Sequence, residues 1–112
     1  MENHADLIVI GAGQSGLATA ALAPRHGFAR TLVLEAAEQA GGSWPRYYDS
    51  LTLFSPARYS SLPGMRFPGD GDRYPTRDEV VDYLRAYVRR LDADIRTSTT
   101  VTSVLPRDGA WA

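Results

Sequence analysis

An α/β fold built on a parallel sheet is predicted for this chain, and three observations predict it. Short apolar runs rich in β-branched residues lie at Leu7 to Ile10 and at Thr31 to Leu34. A glycine-rich turn, Gly11 to Gly16, follows the first run directly, and a stretch of small, strong helix formers from Leu17 to Ala23 separates the two. Strand, glycine turn, helix and strand in about 30 residues make one βαβ unit, here residues 7–35.

Each element has a local cause. Leu7-Ile8-Val9-Ile10 is a continuous apolar run closed by Gly11, which reads as a strand buried on both faces, the pattern of parallel sheets. Leu17 to Ala23 is rich in alanine and leucine, so a helix is favoured there and can lie close to a sheet. It should end near Pro24, which removes an intrahelical donor, and Gly27 suits a left-handed exit. Residues 41–75 hold five of the seven prolines and seven of the eleven aromatics, with neither strand nor helix period. Disordered linkers are poor in aromatics, so this stretch is expected to be an ordered, packed loop. Thr76-Arg77-Asp78-Glu79 has the spacing of a capping box, followed by Val80, Leu84, Val88 and Leu91 on one helical face, which predicts a helix over 77–91. Acids in its first turn and Arg89 and Arg90 in its last suit the helix dipole. Ile95 to Ser98 and Val101 to Leu105 read as strands within 95–105, and Asp108-Gly109 is a hairpin-turn dipeptide.

Composition narrows the function. The 12.2 kDa chain amounts to one small domain, 1–112; scaling predicts roughly 6,000 Å² of surface when compact, against roughly 18,000 Å² unfolded. All 12 basic residues are arginine, balanced by 13 acids, which leaves no surplus for a polyanion, so nucleic acid is not an expected partner. No cysteine is present, which excludes thiolate metal sites and thiol nucleophiles within the chain and fits a reducing compartment. No metal site is expected. No apolar run is long enough for a bilayer, so no membrane partner is expected and the predicted location is cytoplasmic.

Gly11-Ala12-Gly13-Gln14-Ser15-Gly16 is a GxGxxG placed after a strand and opening a helix. The chemistry needs that context. Gly11 makes the tight turn, Gly13 lets main chain approach a pyrophosphate, and Gly16 lets helix pack on strand. The helix N-terminus then offers N–H groups and a positive dipole end to phosphate. Glu35 closes the second strand about twenty residues on, where a carboxylate accepts hydrogen bonds from ribose hydroxyls and repels a 2′-phosphate. FAD or NAD, rather than NADP, is therefore the expected ligand of this site.

Gly41-Gly42-Ser43-Trp44 follows soon after Glu35, and further on stand Tyr48 to Met65, Tyr74-Pro75-Thr76-Arg77 and Val80 to Leu84. Through these motifs nearly the whole chain resembles the FAD-binding portion of flavin-containing monooxygenases, including bacterial NAD(P)/FAD-dependent oxidoreductases and relatives of Baeyer-Villiger enzymes. The resemblance implies a Rossmann-like FAD-binding domain in which Gly11, Gly13, Ser15 and Gly16 surround the FAD pyrophosphate and Glu35 holds the adenosine ribose. It also implies that Gly42, Ser43 and Trp44 line the path toward the flavin, and that the Val101 backbone meets the adenine edge. Taken alone, Trp44 also fits a core aromatic and Val101 a strand residue. In such enzymes NADPH supplies hydride and the flavin carries the redox chemistry by which a substrate is oxygenated. No catalytic residue is assigned: His4 and His26 read as surface histidines, and Arg46, Arg58, Arg66 and Arg73 as solvated arginines.

The chain departs from that family pattern. Gly69-Asp70-Gly71 lacks a third glycine and a preceding apolar strand, so the NADPH site expected for the full-length family is absent. Later sheet strands are absent too, and the edge of the first strand is expected to be uncovered. The fold expected is therefore incomplete, and the segment is expected to be inactive alone. A truncated reading frame, an excised fragment and a subunit completed by another chain carrying the NADPH domain all remain compatible. A non-catalytic nucleotide-binding module or a non-functional remnant is the alternative function.

Overall fold

The computed structural model describes residues 4–42, 51–53 and 56–112. Its elements run β1 (Leu7–Ile10), α1 (Gln14–Leu22), a 3-10 turn (Ala23–His26), β2 (Thr31–Leu34), a second 3-10 turn (Ala57–Tyr59), α2 (Arg77–Arg90), β3 (Asp94–Arg96), β4 (Pro106–Arg107) and β5 (Ala110–Trp111). β1, β2 and β3 form a parallel sheet in that order, with Val9 opposite Val33 and Val33 opposite Ile95. Because side chains alternate along a strand, this row of three lies on one face. That face meets the core, made of Leu17 and Ala20 from α1, Val80, Tyr83, Leu84 and Tyr87 from α2, and Phe67 and Ala57 from the loop between.

The helices end where their chemistry stops them. α1 passes into the 3-10 turn at Ala23 and Pro24, and Gly27 leaves it in the left-handed region at φ 88°. α2 begins at Thr76, whose hydroxyl accepts the Glu79 N–H while the Glu79 side chain accepts the Thr76 N–H, a complete capping box. Tyr83 and Tyr87 add phenolic anchors on the buried face. The Tyr83 hydroxyl accepts the Leu62 N–H at 2.7 Å and donates to the Met65 carbonyl, and Tyr87 donates to the Pro63 carbonyl. Together they fix the turn at 62–65 on α2.

The described part of the 41–75 segment folds back on itself. Leu53 N–H donates to the Pro75 carbonyl, Arg77 N–H to Leu51, and Ala57 N–H to Arg73. Phe67 packs on Tyr83 with ring centroids 4.8 Å apart, whereas Tyr59 and Tyr74 stay exposed. Arg58 pairs with Asp72 and Arg73 with Glu79, so these two arginines brace the loop rather than standing solvated alone. Trp44, Arg46, Tyr47, Tyr48 and Phe54 lie outside the described residues.

Three expectations are corrected. β1 is not buried on both faces, since Ile8 and Ile10 are 44% and 59% exposed; among the described residues only its Val9 side is covered. The accessible surface is accordingly 7608 Å², above the compact value of roughly 6,000 Å². The strand expected at Ile95 to Ser98 is Asp94–Arg96, because the chain leaves the sheet at Ser98, whose φ is 49°. Val101 to Leu105 forms no strand. Pairing starts only at Leu105 and Pro106, where Ala112 and Trp111 on the return arm supply partners across Asp108 and Gly109, both at positive φ as a type I′ hairpin turn requires. Among the described residues no helix is long and apolar enough to cross a membrane.

Candidate functional site

The residues at the C-terminal ends of β1 and β2 come together at the crevice where open parallel sheets bind ligands. Gly11 turns the chain at φ 100°, a conformation that only glycine adopts without strain, and its N–H continues the ladder to the Leu34 carbonyl at 2.8 Å. α1 then starts at Gly13 with no side-chain cap and no acid in its first turn. Its N-terminus carries the positive end of the helix dipole, beside first-turn amides that lack intrahelical acceptors. Ser15 stands exposed in that turn, its carbonyl accepting the Thr19 hydroxyl at 2.8 Å.

Close approach explains the other glycines. A Cβ on Gly16 would lie 1.9 Å from the Gly11 carbonyl oxygen, so only glycine lets α1 sit this close to the end of β1. A Cβ on Gly42 would lie 3.3 Å from the Gly13 Cα, so the Gly41-Gly42 pair passes directly against the glycine turn. Gly41 N–H donates to the Ala12 carbonyl at 2.7 Å, which fixes that approach.

Glu35 reaches the same place from β2. Its carboxylate faces the glycine turn: Oε1 accepts the Ala12 N–H at 2.8 Å and Oε2 accepts the Ala37 N–H at 2.9 Å. Behind it the chain leaving β3 closes the rim, with Thr99 N–H donating to the Glu35 carbonyl and Ser98 N–H to the Ala37 carbonyl, each at 2.8 Å. Val101 is half-buried beside Ile10 and Leu34 in a groove of about 600 Å³ on the outer sheet face. Trp111 and Val104 line the same groove from the hairpin.

Of the residues the sequence singles out, Gly11, Gly13, Gly16, Glu35 and Gly42 thus form one cluster, with Ser15 on its open side and Val101 on the neighbouring face. Ser43 and Trp44 lie outside the described residues. Ala12, Ala37, Ser98 and Thr99 escape sequence reading because they contribute main-chain atoms, which no side-chain pattern marks. His4 lines the outer groove and His26 is exposed in the first 3-10 turn. Among the described residues no three His, Cys, Asp or Glu side chains are grouped to hold a metal ion. The cluster suits a diphosphate joined to a ribose, with main-chain donors on one side and one carboxylate acceptor on the other.

Known proteins are similar to this chain in sequence and in fold. The CzcO-like oxidoreductase of Geobacillus kaustophilus is 39% identical over 108 residues, 96% of this chain and 31% of that protein. Indole-3-pyruvate monooxygenase YUCCA6 of Arabidopsis thaliana is 39% identical over 97 residues, 86% of this chain and 23% of that protein. A solved flavin-containing monooxygenase from Stenotrophomonas maltophilia matches with a TM-score of 0.88 at 34% identity, over 98% of this chain and 33% of that one. The chain therefore spans about a third or less of the length of these relatives. A family model described as pyridine nucleotide-disulphide oxidoreductase matches residues 8–112, nearly the whole sequence, and to that family the chain belongs.

Proposed function

We propose that this chain is the FAD-binding portion of a flavin-dependent, NAD(P)H-using monooxygenase or oxidoreductase. The observation that carries the proposal is the Glu35 carboxylate held beside the glycine turn, 2.8 Å from the Ala12 amide nitrogen, at the ends of two parallel strands. Main-chain amides at Gly13, Ser15 and Gly16 bind the pyrophosphate, where Gly11 sets the turn. Glu35 accepts the adenosine ribose hydroxyls and excludes a 2′-phosphate, which orients the dinucleotide along the strand ends. Val101, next to Ile10 and Leu34, gives the adenine an apolar edge and main-chain polar atoms. Gly42 keeps the next part of the path narrow, and Ser43 and Trp44 are assigned to it by resemblance. Bound FAD supplies the redox chemistry, and this chain supplies binding and orientation.

The segment contains no cysteine, so it offers no thiol for the disulphide chemistry in the family's name, and the monooxygenase relatives are the better guide. Turnover is not expected of the segment by itself. The hydride donor's site belongs to the part of the relatives that it does not span, whether on the same polypeptide or on a complementing chain. Titration with FAD, followed by flavin fluorescence and visible absorbance, tests the reading. Saturable uptake giving a yellow protein is expected; a chain that ignores FAD yet binds NAD overturns it. FAD binding without flavin-linked NADPH oxidation in the presence of any candidate partner favours a non-catalytic nucleotide-binding module.

A further inference from the structure

Glu35 already has main-chain work before any sugar arrives. Ala12 is held at both ends of its peptide groups, its N–H by Glu35 Oε1 at 2.8 Å and its carbonyl by Gly41 N–H at 2.7 Å. The second carboxylate oxygen holds the Ala37 N–H at 2.9 Å, and the Ala37 carbonyl in turn accepts Ser98 N–H at 2.8 Å. One side chain therefore ties three segments together: the phosphate turn after β1, the bend after β2, and, through Ala37, the chain leaving β3. Ala12 is fully buried, so its amide has no water to fall back on if the carboxylate is removed.

We infer that Glu35 is a positioning residue for the phosphate turn, beyond its role as ribose acceptor; the inference rests on the nucleotide reading above. A carboxylate offers about four acceptor positions, so two main-chain amides and sugar hydroxyls are compatible at one side chain. The tie sets where Ala12, and hence the following Gly13 and the start of α1, stand relative to the strand ends. Losing it lets the phosphate donors drift, whatever sugar the ligand carries.

A pair of ligands separates the two roles. ADP carries both ribose hydroxyls and the diphosphate, whereas 2′,3′-dideoxy-ADP keeps the diphosphate and gives the carboxylate no hydroxyl to hold. Binding of each is measured calorimetrically to the unaltered chain and to Glu35→Gln, in which an amide NH₂ faces one of the two N–H donors. The expected result is that the substitution weakens dideoxy-ADP about tenfold, the loss of one charge-assisted hydrogen bond's worth of positioning. Unchanged dideoxy-ADP affinity with weakened ADP overturns the inference and leaves Glu35 a ribose acceptor only. If the unaltered chain binds neither ligand, the nucleotide reading itself fails. Should Glu35→Gln not fold, amide hydrogen exchange in the unaltered chain decides: Ala12 and Ala37 amides exchange as slowly as the β1–β2 ladder if the tie holds, and rapid exchange at either overturns it.

Discussion

Gly16→Ala sets two physical effects against each other. Position 16 lies within α1, where alanine is preferred to glycine by about 1 kcal/mol, so propensity alone predicts a more stable protein. Packing predicts the opposite. The new Cβ would stand 1.9 Å from the Gly11 carbonyl oxygen, 3.0 Å from its carbonyl carbon and 3.3 Å from Val9 Cγ1. Two of these atoms are main chain in a turn bonded to Leu34, so they cannot rotate aside. Non-bonded atoms rest at about 3.5 Å, so α1 must lift by about 1.5 Å from the end of β1. Leu17 and Ala20, both buried against the sheet, would lose contact as it does.

Overpacking costs about 1–3 kcal/mol and sometimes more; against main chain the upper end applies, and after the propensity gain roughly 2 kcal/mol of net loss remains. For a domain of this size that lowers Tm by about 8 °C. Thermal and urea unfolding followed by far-ultraviolet circular dichroism measures it. Gly13→Ala is the matched control: among the described residues its Cβ would meet only Gly42 Cα, at an ordinary 3.8 Å, and φ is −80°. Its stability should stay within about 0.5 kcal/mol of the parent while FAD uptake weakens, because the methyl enters the turn proposed to take the diphosphate. A Gly16→Ala protein as stable as its parent refutes the packing argument, and equal destabilisation by both substitutions refutes the division of labour between the two glycines.

Other consequences are open to the same measurements. Thr76→Ala removes the hydroxyl that caps α2 and should cost about 1 kcal/mol in urea unfolding. Thr31→Val should leave stability unchanged or raise it by about 1 kcal/mol, because the Thr31 hydroxyl is buried without a hydrogen-bond partner among the described residues and valine suits a strand. Tyr83→Phe strands the Leu62 N–H and the Met65 carbonyl and should destabilise by about 1–3 kcal/mol, with faster amide exchange at Leu62. Burial alone would lift the Glu79 carboxyl, but hydrogen bonds from Arg73 and from the Thr76 main chain, together with the Arg73 charge, outweigh it and hold the group below its usual 4.5. A carboxyl depressed by folding stabilises above its unfolded value and loses that contribution as pH falls through the folded value, so Glu79→Gln should flatten the stability profile below about pH 4.5.

How much of this was legible depends on whether a feature lives in side chains or in main chain. The capping box at Thr76 and Glu79 and the left-handed exit at Gly27 have residue signatures, and both are where their signatures put them. Tyr83 and Tyr87 escape a helical period carried by aliphatic residues; both occupy the buried face of α2, bury a ring and satisfy a hydroxyl. The apolar run of β1 could not reveal that Ile8 and Ile10 lack a covering layer among the described residues, since burial depends on a neighbour rather than on the strand itself. Val101 to Leu105 has strand composition but, among the described residues, no partner to pair with before Leu105. At the candidate site the spacing of Gly11, Gly16 and Glu35 was readable, whereas the Ala12 and Ala37 amides that receive the carboxylate were not, because any residue but proline carries one.

The same contacts explain why the candidate site and the core cannot be formed separately. Gly16 and Leu17 are adjacent, one admitting α1 to the end of β1 and the other filling the space beneath it with no exposure to solvent. Gly41 belongs to both sides as well, donating to Ala12 in the glycine turn while a Cβ there would touch Leu84 of α2. Glu35 is bonded along its main chain to β3's Arg96 and to Thr99, and through its side chain to the turn after β1. Three strand ends and two helices must therefore be in place before the carboxylate faces the glycine turn. Apart from the contact of Gly16 with Gly11, each link is long-range in sequence, so the site gains its geometry only when the inner sheet face is packed, and a substitution that loosens α1 or α2 is felt at the glycine turn without touching it.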